Sequence, residues 1–313
     1  MIRRTKSVAG MPKENTHLLF AADLMAGPGD KGLQSLLKNN SREYLFGSVF
    51  PDTFYYGKRA AVRELSEILH GKDGNRSDEY IFKFLERIMS SGREGELAFL
   101  MGYISHCFLD IKFHPVIYYL SGNYYDKDDE KRSGAVYLHR HLETRLDVLL
   151  NRRYTLAGEL EGFDAGGMSC LTVLLDQRSL SLKGLQEILA RQIRLDKVFR
   201  NTSLYYLFRL PACVSLFAKA NIALFYRNLR HDGRGFPLLI RYRDLLTGAP
   251  HETSPDALYR QALEEASAAV SAVYAYYQGR SDIDRLKALI RGESLNTGAP
   301  GCPVDRIRFT LGG

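Results

Sequence analysis

From about residue 13 onward, apolar residues recur at spacings of three and four, and the stretches that carry them are separated by glycine-rich or charged breaks. The clearest breaks are GPGDKG (27–32), HGKDGNRSD (70–78), SGNYYDKDDEKRSG (121–134), EGFDAGG (161–167), TGAPHETSPD (247–256) and NTGAPGCP (296–303). Alternating runs of β-branched residues are scarce, so the pattern predicts an all-α fold, a compact assembly of many helices. No repeat at a fixed period is visible. Residues 1–10 read as a loose tail, 11–155 as a helical core and 156–313 as a helical extension packed on it within the same domain. The most apolar later stretch, LPACVSLFAKANIALFY (210–226), is short for a membrane span and contains Lys219, so it reads as a buried helix and no transmembrane segment is expected.

Composition narrows the class. With 45% hydrophobic and 25% charged residues, the 313-residue chain is an ordinary globular protein rather than a disordered or fibrous one. Cys107, Cys170, Cys213 and Cys302 are widely spaced, which argues against a disulfide framework and against a thiolate zinc knot. The opening MIRRTKSVAG is basic, but no apolar core of signal-peptide length follows it. A cytoplasmic location, with access to the inner membrane face, is the expectation.

Net charge is +7, and from Lys197 to Arg243 nine Lys or Arg stand against one acidic residue, Asp232. Aromatic residues such as Tyr205, Tyr206, Phe208, Phe225 and Tyr242 are interleaved with them. Such a surface suits phosphate, on an anionic membrane or a single-stranded nucleic acid. A helical core with a solvated cationic rim has the same composition.

Six of the eight histidines lie in the first 141 residues, which places candidate chemistry in the first half. In HCFLDIKFHP (106–115), His106 and Asp110 sit one helical turn apart, on the edge of a stripe formed by Leu100, Tyr103, Ile104, Cys107, Phe108 and Ile111. A buried carboxylate needs compensation, and a metal ion satisfies both it and the histidine. Gly102, one turn earlier, leaves room for the ion. His114 precedes Pro115, which predicts that the helix ends there and that His114 reaches toward a neighbouring position. A second row lies in HRHLETRLD (139–147), where His139 and Glu143 share a face while Leu138, Leu142 and Leu146 mark the buried side. Asp147 is placed to accept a hydrogen bond from a ligand histidine, and His141 falls on another face.

Taken together, GSVFPDTFYYG (47–57), His70, HCFLDIKFHP and HRHLETRLD resemble the bacterial zinc-dependent phospholipase C family, and MPKENTH (11–17) resembles its opening segment. The order and spacing of polar positions follow the family from residue 11 to about 147, and residues 240–266 resemble its later helices. The relationship reaches the fungal single-strand nucleases, which share the helical fold and a cluster of three zinc ions.

The resemblance implies two or three zinc ions. Asp52, His70, His106 and Asp110 would surround one, His114, His139 and Glu143 a second, and His17 with a bridging Asp110 a third. The third site also uses the backbone of the N-terminal residue, a tryptophan in the secreted members, and this chain has no tryptophan. A translation start at Met11 would leave Pro12 in that place, five positions before His17, whereas a start at Met1 implies a binuclear cluster.

The implied reaction is hydrolysis of a phosphodiester, with a phospholipid as substrate class, peripheral contact with an anionic membrane, Asp52 as ligand and general base, and Glu143 as ligand. The alternatives are a nuclease of the same fold and a non-catalytic helical protein whose metals are coordinatively closed. Phe54, Tyr55 and Tyr56 line the mouth of the site or simply pack in the core, and loop 122–134 is a candidate lid.

Overall fold

The computed structural model describes residues 14–151, 153–210, 219–231 and 236–311. The readings on the N-terminal tail, Met11 and Pro12, on Cys213 and on the apolar run 211–218 lie outside these residues. Seven helices build the first half: α1 (Glu14–Ala26), α2 (Lys31–Asn39), α3 (Ser41–Thr53), α4 (Ala60–Leu69), α5 (Glu79–Ser91), α6 (Glu94–Ser121) and α7 (Asp129–Leu150). Short helical turns between Leu156 and Arg178 lead to α8 (Leu182–Arg200) and α9 (Thr202–Arg209). Strands β1 (Ile240–Arg243) and β2 (Pro250–Thr253) pair antiparallel and are the whole sheet content among the described residues. Helices α10 (Pro255–Tyr277) and α11 (Ile283–Leu289) follow, and the remaining residues return across the bundle, with the Val304 and Leu311 amides donating to the Lys72 and Tyr119 carbonyls.

Helix α6 is apolar on nearly every side, so it can be stable only when covered all round. Helices α1, α3, α5, α7 and α10 all pack on it. Its closest neighbour is α3, and two glycines set that crossing. A methyl group placed on Gly102 would lie 1.9 Å from the Tyr44 carbonyl oxygen, and one on Gly47 would lie 2.0 Å from the Phe99 carbonyl oxygen. Each helix therefore presents a bare backbone to the other, and the aromatic cluster of Phe46, Phe50, Phe84, Phe99 and Tyr103 fills the flanks. Gly102 thus makes room for a helix rather than for an ion.

Three further expectations are corrected. Helix α6 does not stop at His114 but runs through Pro115 to Ser121. The missing amide of Pro115 costs one hydrogen bond to the Ile111 carbonyl. Gly298, in a left-handed conformation with φ of 71°, packs over that ring and that carbonyl. Helix α7 buries its polar side: His139, Arg140, His141, Glu143, Thr144 and Asp147 are inside; of the three leucines, Leu146 is buried and Leu142 half-buried against the core, whereas Leu138 is 45% exposed. Polar partners on α1 and α6, with Leu146, decide which way α7 faces. Its start also lies earlier than expected, with Asp128 capping the Glu130 and Lys131 amides, so residues 129–134 belong to the helix and the loop is only 122–128.

Residues 240–253, which resemble later helices of the family in sequence, form the β1–β2 hairpin. The Asp244 carboxylate accepts from the Leu246 and Thr247 amides and locks its turn.

Candidate metal centre

The crossing of α3 and α6 brings Asp52 beside His106 and Asp110. The turn after α4 adds His70, α1 adds His17, and α7 brings His139 and Glu143 to the far side of Asp110, next to His114. All eight sequence-predicted positions therefore meet in one volume, and each is 1% exposed or less. His141 is not among them; it is buried beside Tyr137, stacked at 5.9 Å.

Asp110 is the hub. Its carboxylate oxygens lie 3.3 Å from His17 Nε2, 3.4 Å from His70 Nε2, 3.0 Å from His106 Nε2 and 3.6 Å from His114 Nε2. Asp52 Oδ1 is 3.4 Å from His70 Nε2, and Glu143 Oε1 is 2.7 Å from His139 Nε2. Three sets have ligand atoms within 4.8 Å of one another: His17 with His106 and Asp110, Asp52 with His70 and His106, and His114 with His139 and Glu143. His106 belongs to two of them, and its ring stacks on that of His17 at 4.0 Å.

Backbone carbonyls fix the direction of the imidazoles. His106 Nδ1 is 2.9 Å from the Ser48 carbonyl, His70 Nδ1 is 2.7 Å from that of Ser66, and His114 Nδ1 is 2.9 Å from that of Leu295. A carbonyl only accepts, so each Nδ1 carries the proton, and in the neutral ring each Nε2 turns a lone pair toward the centre. This is the arrangement that orients a histidine as a metal ligand. Asp147, expected to do this work, instead accepts from the Thr16 amide and hydroxyl at 2.7 and 2.5 Å and from Asn15 Nδ2 at 2.9 Å.

The electrostatics call for positive charge. Both oxygens of Asp52, both of Glu143, Oδ2 of Asp110, both nitrogens of His17 and Nε2 of His114 find no hydrogen-bond partner despite complete burial. Burial lowers the affinity of His70 for a proton, but Asp110 and Asp52 outweigh it and raise its pKa to about 9. Burial holds His114 and His139 neutral, with pKa values pushed down to about 3. Glu143 is driven well above the usual carboxylate range by burial and by the charges of Asp52 and Asp110. Three carboxylates packed among five imidazoles, of which His114 and His139 are held neutral, are costly unless cations lie between them. The donor set of imidazole nitrogen and carboxylate oxygen, without thiolate, fits zinc of the hydrolytic type.

Several groups around the centre lie outside the predicted ligand rows, although Tyr55, Tyr56 and Tyr124 fall in stretches that the sequence marks as a candidate mouth and lid. The Leu295 carbonyl belongs to the returning tail, where Asn296 Nδ2 also donates to the His70 carbonyl at 3.1 Å and Asn296 Oδ1 accepts from the Tyr118 hydroxyl at 2.9 Å. Tyr118 and Tyr124 place their rings 4.9 and 5.2 Å from that of His139, and Tyr55 lies 5.9 Å from His70. Glu14, one turn before His17, is buried against the Tyr56 hydroxyl at 2.5 Å and Gln192 Nε2 at 3.1 Å.

A family model described as zinc dependent phospholipase C matches residues 16–178, just over half of the chain and a span that contains all eight of these positions. No curated protein and no solved structure matches.

Proposed function

The chain belongs to the zinc-dependent phospholipase C family, and from that premise we propose that it hydrolyses a phosphodiester of the phospholipid class with two or three zinc ions held by His17, Asp52, His70, His106, Asp110, His114, His139 and Glu143. The observation that carries this reading is the set of buried acceptors on those residues that no protein donor satisfies. When bound, zinc ions supply a polarised phosphoryl oxygen and an attacking water of lowered pKa.

The remaining work falls to the chain itself. Asp52, with both oxygens uncommitted and facing His70 and His106, serves as ligand and as acceptor of the proton that the water releases. Glu143, whose charged form a bound cation would stabilise, supplies a carboxylate opposite His114 and His139, which stay neutral. Water adds to phosphorus, the ester bond on the glycerol side breaks, and the released alcohol oxygen takes up a proton. Tyr55, Tyr118 and Tyr124 wall the site on the side of His70 and His139. Because every ligand residue is buried, substrate entry requires movement, and loop 122–128, which carries Tyr124 and Tyr125 against that wall, is the gate.

Elemental analysis of the protein without a histidine tag, together with assays on bis(p-nitrophenyl) phosphate, phospholipid and single-stranded DNA, tests the reading. Two or three zinc ions with phospholipid turnover, both lost in Asp110→Asn, are expected. Turnover of DNA alone would assign a nuclease, and bound zinc without turnover a structural cluster. Full zinc retention in Asp110→Asn would remove the ligand assignment.

A further inference from the structure

Among the described residues, Leu238, Leu311 and Leu239 are the most exposed large apolar side chains, at 74%, 66% and 56%. They border the β1–β2 hairpin. Leu238 and Leu239 immediately precede β1, and the Leu311 amide donates to the Tyr119 carbonyl at 2.7 Å, while the Tyr119 ring meets Tyr242 of β1 at 6.2 Å. Isolated exposed leucines need no explanation, but three at the border of one element mark an interaction surface.

The polar groups around them define the partner. In β1, Ile240 is buried while Arg241 and Arg243, two positions apart, share the solvent face. Arg306 and Arg308 are exposed on the returning tail, whose Arg308 amide is bonded to the Leu245 carbonyl in the hairpin turn. Of the carboxylates here, Glu252 pairs with Arg241 at 2.8 Å and Asp244 closes the turn, while Asp305 is exposed beside Arg306. A groove of about 370 Å³ is lined by Tyr119, Tyr242, His251, Arg241 and Arg243, with Glu252, the partner of Arg241, also on its wall. Leucines flanked by arginines and by half-buried tyrosines match the layers of a lipid interface, with apolar chains below, headgroup-level rings, and cations opposite phosphate.

The surface is also continuous with the metal centre. Leu245 of the hairpin turn packs in one apolar cluster with Val304, Ile307, Tyr118 and Tyr124, and the last two edge onto His139.

We propose that the β1–β2 hairpin, with Leu238, Leu239 and Leu311, docks the protein on an anionic phospholipid bilayer, with the Arg241–Arg243 groove receiving a headgroup phosphate. The inference rests on the phospholipid reading above, but binding is measured apart from turnover. The full chain is sedimented with phosphatidylcholine vesicles, with and without about one-third phosphatidylglycerol, beside hydrolysis of soluble bis(p-nitrophenyl) phosphate.

Binding to the anionic vesicles should weaken about tenfold in L238D/L239D and by a similar factor in R243E/R308E, and it should fall with salt. Thermal melting and soluble-diester hydrolysis should be unchanged in both variants. Failure of the wild-type protein to sediment with anionic vesicles, or equal sedimentation of wild type and L238D/L239D, would overturn the proposal. So would a concentration-dependent dimer in velocity sedimentation that L238D/L239D abolishes, which would assign the leucines to a second copy. Loss of soluble-diester hydrolysis in the wild type would instead remove the catalytic reading while leaving vesicle binding to be judged on its own.

Discussion

Glu143 and Asp147 lie one turn apart on α7, both 1% exposed, yet they inhabit opposite environments. Glu143 faces histidines and carboxylates and has no hydrogen-bond donor on either oxygen. Asp147 accepts from the Thr16 amide and hydroxyl, from Asn15 and from the Tyr226 hydroxyl. The same network runs on through Asn15 to Asp196 at 3.4 Å and through Tyr226 to Arg200 at 3.2 Å. Burial alone therefore does not identify a functional carboxylate. What separates the two is whether the protein supplies the compensating donors, because a satisfied buried group stabilises a scaffold and an unsatisfied one demands a ligand.

Exchanging the two roles tests this contrast most directly. Glu143→Gln keeps shape and loses charge, so it should release zinc and lower turnover by about 100-fold or more, while the metal-free protein melts no lower than wild type. Elemental analysis and calorimetry read both. Asp147→Ala should do the reverse: about 3 to 5 kcal/mol of stability is lost in urea unfolding because four donors are left facing an apolar void, while zinc is still bound in the folded fraction. Equal zinc loss in the two variants would break the comparison.

Glu14 stands between these regions and gives a pH-dependent test. Burial is the main cause that raises its pKa from 4.5 to about 7; Asp196 and Asp52 add to this, and hydrogen bonds from Tyr56 and Gln192 oppose it. The folded state thus holds this proton more tightly than the unfolded chain. The resulting stabilisation is complete below about pH 4.5 and is lost as pH rises through about 7. Glu14→Gln retains the acceptor and cannot ionise, so at about pH 8 it should exceed wild type by roughly 2 kcal/mol, with the difference vanishing near pH 4.5. The smallest effect is expected from Tyr226→Phe, which removes one of the hydroxyls serving Asp147 and should cost about 1 kcal/mol with zinc content intact.

What the sequence discloses follows from the range over which each signal acts. The i, i+4 pairs His106–Asp110 and His139–Glu143 are local, and helical geometry alone puts each pair on one face. Periodicity likewise exposes the helices. The errors occur where a distant partner overrides a local rule. Pro115 is carried inside α6 because Gly298 covers it, and α7 turns its polar face inward because α1 and α6 offer polar partners. Gly102 reads as space for an ion, although its neighbour is the backbone of Tyr44. The hairpin is hidden for a different reason: its strands have four residues each, the outward positions of β1 are arginines and β2 is polar and exposed, so no alternating apolar run betrays them. Backbone carbonyls such as those of Ser48, Ser66 and Leu295 have no residue signature at all.

The bond between His114 Nδ1 and the Leu295 carbonyl spans 181 positions, and the Leu295 amide reaches back to the His70 carbonyl. During synthesis helices α1 to α7 and the turn that bears His70 leave the ribosome before that segment does. Until it arrives, His114 Nδ1 lacks this acceptor, and either ring nitrogen can carry the proton. The site is therefore finished from the far end of the chain. A nascent chain that has emerged only through α7 already carries all eight candidate ligands but lacks the carbonyl that fixes the direction of the His114 ring.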